Sequence, residues 1–198
     1  MILIATPTRD SITAGTTADL IKLCRRHPDA RFMAPLGIYI SNLRQSAVNM
    51  ALSMDASHVL FIDADMRFPA NALERLLAAG QGIVAANYVM RTMPELCVAR
   101  NSDGVSLSSA GRTGLQSVSS VGFGLILIAT EVFRNIHRCF DTPYRDCGNI
   151  GEDIYFCERA REDGYEIFID HDLSQDVRHI GSIEHSVSTQ RPLEMIQP

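Results

Sequence analysis

Two aspartates one residue apart, Asp63 and Asp65 in "HVLFIDADMRFP", follow an apolar run and are the first residues whose type and spacing point to chemistry. On extended backbone, side chains two apart face the same way, so both carboxylates can address one hard cation or one ligand. The plainer reading is that one of them caps the following turn. Two further groups bear on that choice. "GEDIYF" puts Glu152 and Asp153 at a helix start after a flexible loop, where an acid either complements the helix dipole or serves as a general base. "VRHIG" puts His179 past a late strand, where an imidazole can complete a carboxylate metal site, with His171 and His185 as nearby competitors.

Several elements must position these groups. Residues 2–5 form an all-apolar strand, a loop follows over Thr6, Pro7, Thr8, Arg9 and Asp10, and a helix runs from about Ala14 to His27 before Pro28. Residues 31–34 suggest a second strand. Leu43, Ala47, Met50, Ala51 and Met54 recur at helical spacing, one face of a helix that packs on a sheet. A strand over 59–62 carries the two aspartates at its carboxyl end, where ligands collect in open parallel sheets. A helix over 69–80, with proline near its start and glycine at its end, precedes a strand over 82–87. Alternating strands and helices predict a parallel sheet covered on both faces. From Glu95 the pattern shifts to short strands over 96–99, 105–107, 115–121 and 125–129, then a helix from a Thr130 cap to His137. A polar loop over 141–151, a helix over 152–163 closed by Gly164, a strand over 165–169 and a short strand over 177–180 complete the chain.

The composition, 198 residues with 46% hydrophobic and 21% charged, is that of one globular domain able to bury a core without staples. Five cysteines, Cys24, Cys97, Cys139, Cys147 and Cys157, include no C-x-x-C pair, which speaks against a disulfide framework or a zinc ribbon. A net charge of −5 without long runs of one sign excludes a broad nucleic-acid footprint. An anionic small molecule then needs a metal or a local arginine. The opening apolar run is too short for a signal peptide, and no apolar segment approaches a bilayer span, so a cytoplasmic protein is expected.

Taken together, "ISNLRQSAVNMAL" leading into "HVLFIDADMRFP", then "VGFGLILIATEVF", then "GEDIYFCERAREDGYEIFIDHDLSQDVRHIG" resemble a GT-A glycosyltransferase of the family 2-like group of small nucleotide-sugar transferases. The resemblance runs from about residue 2 to residue 181. It implies an α/β fold, a Rossmann-like mixed and mainly parallel sheet flanked by helices, in a single domain. Residues 1–100 or so would form the nucleotide-sugar half, and the remainder the acceptor and catalytic half.

By the same resemblance, Asp65 would bind Mn2+ or Mg2+ directly, Asp63 would contact the ribose or the metal, and His179 would be a further ligand. The ion would meet the diphosphate of a UDP- or GDP-sugar, stabilising charge on the departing nucleotide. Asp153 is the first choice of base for an inverting transfer, with Glu152 the alternative. Thr6, Pro7, Thr8, Arg9 and Asp10 stand where the family grips the nucleoside, although this loop departs from the commoner P-x-x-N-E type. Arg44 can pair with a phosphate through its planar fork and Asn49 can orient the D-x-D loop; a solvent-facing arginine and an ordinary helical asparagine are the plainer readings. Loops over 88–95 and 141–151 would carry specificity. The absence of a Q-x-x-R-W motif speaks against a processive polysaccharide synthase. Two other readings stand beside this one: a non-catalytic nucleotide-sugar-binding module of the same fold, and a HAD-type phosphatase with Asp63 as nucleophile, which lacks its expected lysine downstream.

Overall fold

Alternation of apolar strands with amphipathic helices yields one central sheet between two helical layers. The computed structural model describes residues 1–91, 95–136, 138–141, 151–181 and the backbone of 184–186. Parts of both expected specificity loops, together with Cys147, lie outside the described residues. In chain order the elements are β1 (Ile2–Ala5), α1 (Ala14–Arg26), β2 (Arg31–Met33), α2 (Ile40–Ser53), β3 (His58–Ile62), β4 (Met66–Arg67), α3 (Ala72–Ala78) and β5 (Ile83–Ala86). They continue with β6 (Leu115–Val118), β7 (Leu125–Ala129), α4 (Thr130–Asn135), α5 (Glu152–Glu162), β8 (Ile167–Asp170), α6 (His171–Ser174), β9 (Arg178–Ile180) and β10 (Glu184–Ser186).

The main sheet has seven strands in the order β2-β1-β3-β7-β5-β8-β6, and a small sheet has the order β10-β9-β4. β1, β2, β3, β5 and β8 run one way, while β7 and β6 run against them. The sheet is therefore mixed and mainly parallel, as expected. Strand alternation divides the core. Leu3, Val59 and Phe61 face one layer with α2, α4 and α5, while Ile4, Leu60 and Ile62 face the other with α1, α3 and α6. The first layer is built on Phe61, Phe123, Phe133, Phe140 and Phe156, whose rings meet edge-on, tilted or stacked.

The structure revises several expectations. The buried stripe of α2 is Leu43, Arg44, Ala47, Val48 and Ala51, whereas Met50 is exposed. The face is rotated toward Arg44, a charge that its partners make tolerable in the interior. Residues 96–99 and 105–107 form isolated bridges rather than strands. Thr130 opens α4 without capping it, because its hydroxyl donates to the Ala56 and Ser57 carbonyls.

Candidate active site

The D-x-D pair begins where β3 stops. Asp63 donates its N–H to the Gly124 carbonyl at the start of β7, 3.0 Å away. Residues 63–66 then turn, with the Met66 N–H directed at the Asp63 carbonyl, 3.4 Å. The two carboxylates therefore lie on a turn and not on extended backbone, and different partners aim them. Asp63 Oδ1 accepts from Arg44 Nη2 at 2.9 Å, while Asp65 Oδ2 meets Arg91 Nη2 at 2.8 Å.

β4 follows this turn and pairs antiparallel with β9, placing Met66 opposite His179. The Ile180 N–H also donates to the Asp65 carbonyl, 2.7 Å. This short ladder brings His179 from the end of the chain to the D-x-D turn, with Nε2 3.5 Å from Asp65 Oδ2. Its other nitrogen, Nδ1, is 3.2 Å from the Val89 carbonyl, an acceptor only, so Nδ1 carries a proton. The ring stands edge-on to Tyr88. Tyr88 in turn needs glycine beneath it: a Cβ at Gly122 or Gly124 would lie 2.5 or 2.6 Å from its side chain. Burial pushes the Tyr88 hydroxyl well above its ordinary value, and the charges of Asp63 and Asp153 add to this, so it stays a neutral phenol.

Arg44 joins the two halves of the site. Its side chain is 4% exposed, its guanidinium lies 4.8 Å from the Phe123 ring centroid, and Nη1 donates to Glu152 Oε1 at the start of α5. Burial alone would lower its pKa, but Asp63, Glu152 and Asp153 hold it above the ordinary value. Next to Glu152, the Asp153 carboxylate accepts the Ile154 N–H, 2.8 Å.

One cavity of about 740 Å³ is lined by Pro7, Arg9, Asp10, Arg44, Asp63, Asp65, Glu152, Asp153 and His179. Of the site residues expected from sequence, Thr6 and Asn49 are absent from this wall. Thr6 is fully buried, and its hydroxyl oxygen has no hydrogen-bond partner. Thr8, named with the loop after β1, is there too, and Arg91, Ser11 and Thr13 also line the cavity without having been singled out; Arg91 carried no local pattern that would mark it. Asn49 is corrected: it is exposed and accepts from Gln45, away from the D-x-D turn. His171 is a structural residue with both ring nitrogens engaged, by Ser109 and Gln116. The side chain of His185 lies outside the described residues.

The donor chemistry can be tested against a divalent ion. With Nδ1 turned to the Val89 carbonyl, Nε2 of His179 faces a carboxylate oxygen, so either a proton on Nε2 or a cation must lie between the two. Metal-ligating histidines are held in this way, the far nitrogen donating to a backbone carbonyl. One carboxylate and one imidazole suit Mn2+, or Mg2+ completed by phosphate and water. Burial would raise the Asp65 pKa, but His179 and Arg91 together hold the carboxyl below the usual range, ionised and ready to ligate. Asp63 does not complete a cage, because it is turned to Arg44. Among the described residues no three His, Cys, Asp or Glu side chains gather into a metal-holding set. The cavity wall nonetheless sets five carboxylates against three arginines, so an anionic ligand needs an added cation there.

No family model matches the chain, and no curated protein matches it. Among solved structures it is similar to A197 from STIV, with a TM-score of 0.65 and 19% identity over 91% of this chain and 85% of that one. It is also similar to S. aureus TarS 1-349, with a TM-score of 0.45 and 13% identity over 86% of this chain and 58% of that one, too distant to inform any residue here. The likeness shows the fold: a GT-A-like α/β arrangement with a mixed, mainly parallel seven-stranded sheet flanked by helices. Among the described residues no helix is long and apolar enough to cross a membrane.

Proposed function

We propose that this chain is a metal-dependent glycosyltransferase that moves a sugar from a nucleoside-diphosphate sugar, UDP- or GDP-linked, to an acceptor hydroxyl with inversion. The observation that carries this reading is the meeting of the D-x-D turn, His179 and the acidic start of α5 in one cavity of a GT-A-like fold. Asp65 and His179 would hold Mn2+ or Mg2+, which supplies Lewis-acid compensation for charge on the departing diphosphate. Asp63, tied to Arg44 through one oxygen, keeps acceptor capacity for a ribose hydroxyl. The same tie disfavours Asp63 as a phosphatase nucleophile.

Glu152 is committed to Arg44, so the base role falls to Asp153. In the transfer, Asp153 takes the proton of the acceptor hydroxyl as its oxygen attacks the anomeric carbon. The bond from that carbon to the diphosphate oxygen breaks, and the nucleoside diphosphate leaves. A positioned base of this kind contributes roughly 10²- to 10⁴-fold.

The test is a thermal-shift panel of nucleotide sugars with and without Mn2+, on wild type, Asp65→Asn and Asp153→Asn. Asp65→Asn should lose the Mn2+-dependent shift. Asp153→Asn should keep it while losing transfer, and loss of the shift would move Asp153 into the donor site instead. A binding module would show the shift in wild type but release no sugar to any acceptor.

A further inference from the structure

One oxygen serves two partners. Arg91 Nη2 lies 2.8 Å from Asp65 Oδ2, and His179 Nε2 lies 3.5 Å from the same atom. A divalent ion between Asp65 and His179 needs that oxygen, and a guanidinium at contact distance would repel it. Of the two partners, Arg91 is the one able to move. Its side chain is 49% exposed, against 14% for His179, which is fixed by the Val89 carbonyl, the β4–β9 ladder and the Tyr88 ring. A second Arg91 contact, from Nη1 to the Ile180 carbonyl, is long at 3.3 Å. The backbone beneath is pinned, since the Met90 N–H donates to the Leu96 carbonyl at 2.8 Å and the Val98 N–H to the Tyr88 carbonyl at 2.9 Å. The guanidinium can therefore swing while its backbone stays at the cavity wall.

Resting on the donor reading above, we propose that Arg91 is a diphosphate-binding residue that Asp65 holds until donor and metal arrive, whereupon Arg91 exchanges the carboxylate oxygen for a phosphate oxygen. Its planar fork suits that ligand, and Arg44 cannot serve, because Asp63 and Glu152 already occupy it. The exchange keeps every charge partnered: Asp65 passes from a guanidinium to the ion, and the guanidinium passes to the phosphate.

The two states predict effects of opposite sign for one substitution. In electron paramagnetic resonance titrations with Mn2+ alone, Arg91→Ala should bind the ion about two- to fivefold more tightly than wild type, because a competing surface cation is gone. In calorimetric titrations of inorganic pyrophosphate at saturating Mn2+, the same variant should bind about tenfold more weakly, and Arg91→Lys should recover part of the loss. Unchanged or weaker Mn2+ binding, or unchanged pyrophosphate binding, would overturn the exchange. Asp65→Asn separates the two ideas. If wild type binds Mn2+ through Asp65 while Arg91→Ala alters neither affinity, the metal reading stands and the exchange alone fails. If neither wild type nor Arg91→Ala binds Mn2+, both fail.

Discussion

Arg44 is the residue on which the site's geometry turns. It sits on the buried stripe of α2 with its Nε without a partner, and the two carboxylates on its fork, themselves only partly buried, supply the compensation for its burial. Deleting Arg44 leaves two partly exposed carboxylates at the cavity wall without their counter-charge, at a cost of about 1.5–3 kcal/mol. Arg44→Met should lower the urea midpoint accordingly, and the double variant with Glu152→Gln should lose less than the single one. A wild-type midpoint for Arg44→Met would show that the clamp carries no stability. Asp63 and Asp65 stood out in the sequence because they end an apolar run, Glu152 and Asp153 because they open a helix after a polar loop, and His179 only through the motif that carries the resemblance. The pairing of Arg44 did not. Periodicity ranks residues by polarity, and a charge facing inward is intelligible only once its partners, 19 and 108 positions away, are known.

At the scale of elements, the site depends on a two-residue strand. β4 carries His179 to Asp65, and α1 holds β4 in place: the Thr16 hydroxyl donates to the Met66 carbonyl, 2.8 Å, and Asp19 Oδ2 accepts from Arg67 Nε, 2.7 Å. Burial would raise the Asp19 pKa, but hydrogen bonds from Arg67 and Lys22 and the Phe68 N–H hold it below the ordinary value. A carboxyl depressed in the folded state contributes stability that is fully present above its unfolded pKa, about 3.9, and is lost as pH falls through the folded value. Asp19→Asn should cost about 1–2 kcal/mol at neutral pH and flatten the acid limb of the urea midpoint below about pH 4. An equally steep acid limb in the variant would assign that limb to other carboxylates. Long elements were readable: β1 matches its expected span, and α1 ends within one residue of it. β4 and α6 were not, because two to four residues carry no period, and a strand as short as β4 is defined by its partner.

The whole molecule shows the same division between what is local and what is not. Strand–helix alternation foretold a sheet covered on both faces, but not that β7, from the second half of the chain, would run antiparallel between β3 and β5 of the first. Apolar runs mark strands without naming neighbours, and the insertion depends on Gly124 meeting Asp63 at one end and Ala129 meeting His58 at the other. The insertion unites both halves in one sheet, and the layer over it holds two cysteines that report on its integrity. Cys139 is 1% exposed and Cys157 0%, and burial pushes both thiols up to about 12. At pH 8 such a thiol is roughly one part in 10⁴ thiolate, against about a quarter for an ordinary cysteine, so attack by a disulfide reagent must await opening of the layer. Labelling followed by peptide mass spectrometry should mark Cys24, only partly buried, well before Cys139 and Cys157. Rates at the latter two should rise together with urea, along the slope of global unfolding. If Cys157 instead reacts at the rate of Cys24 in native buffer, the layer of α2, α4 and α5 opens independently of the sheet, and the ion pair from Arg44 to Asp63 at the end of β3 cannot be what joins them.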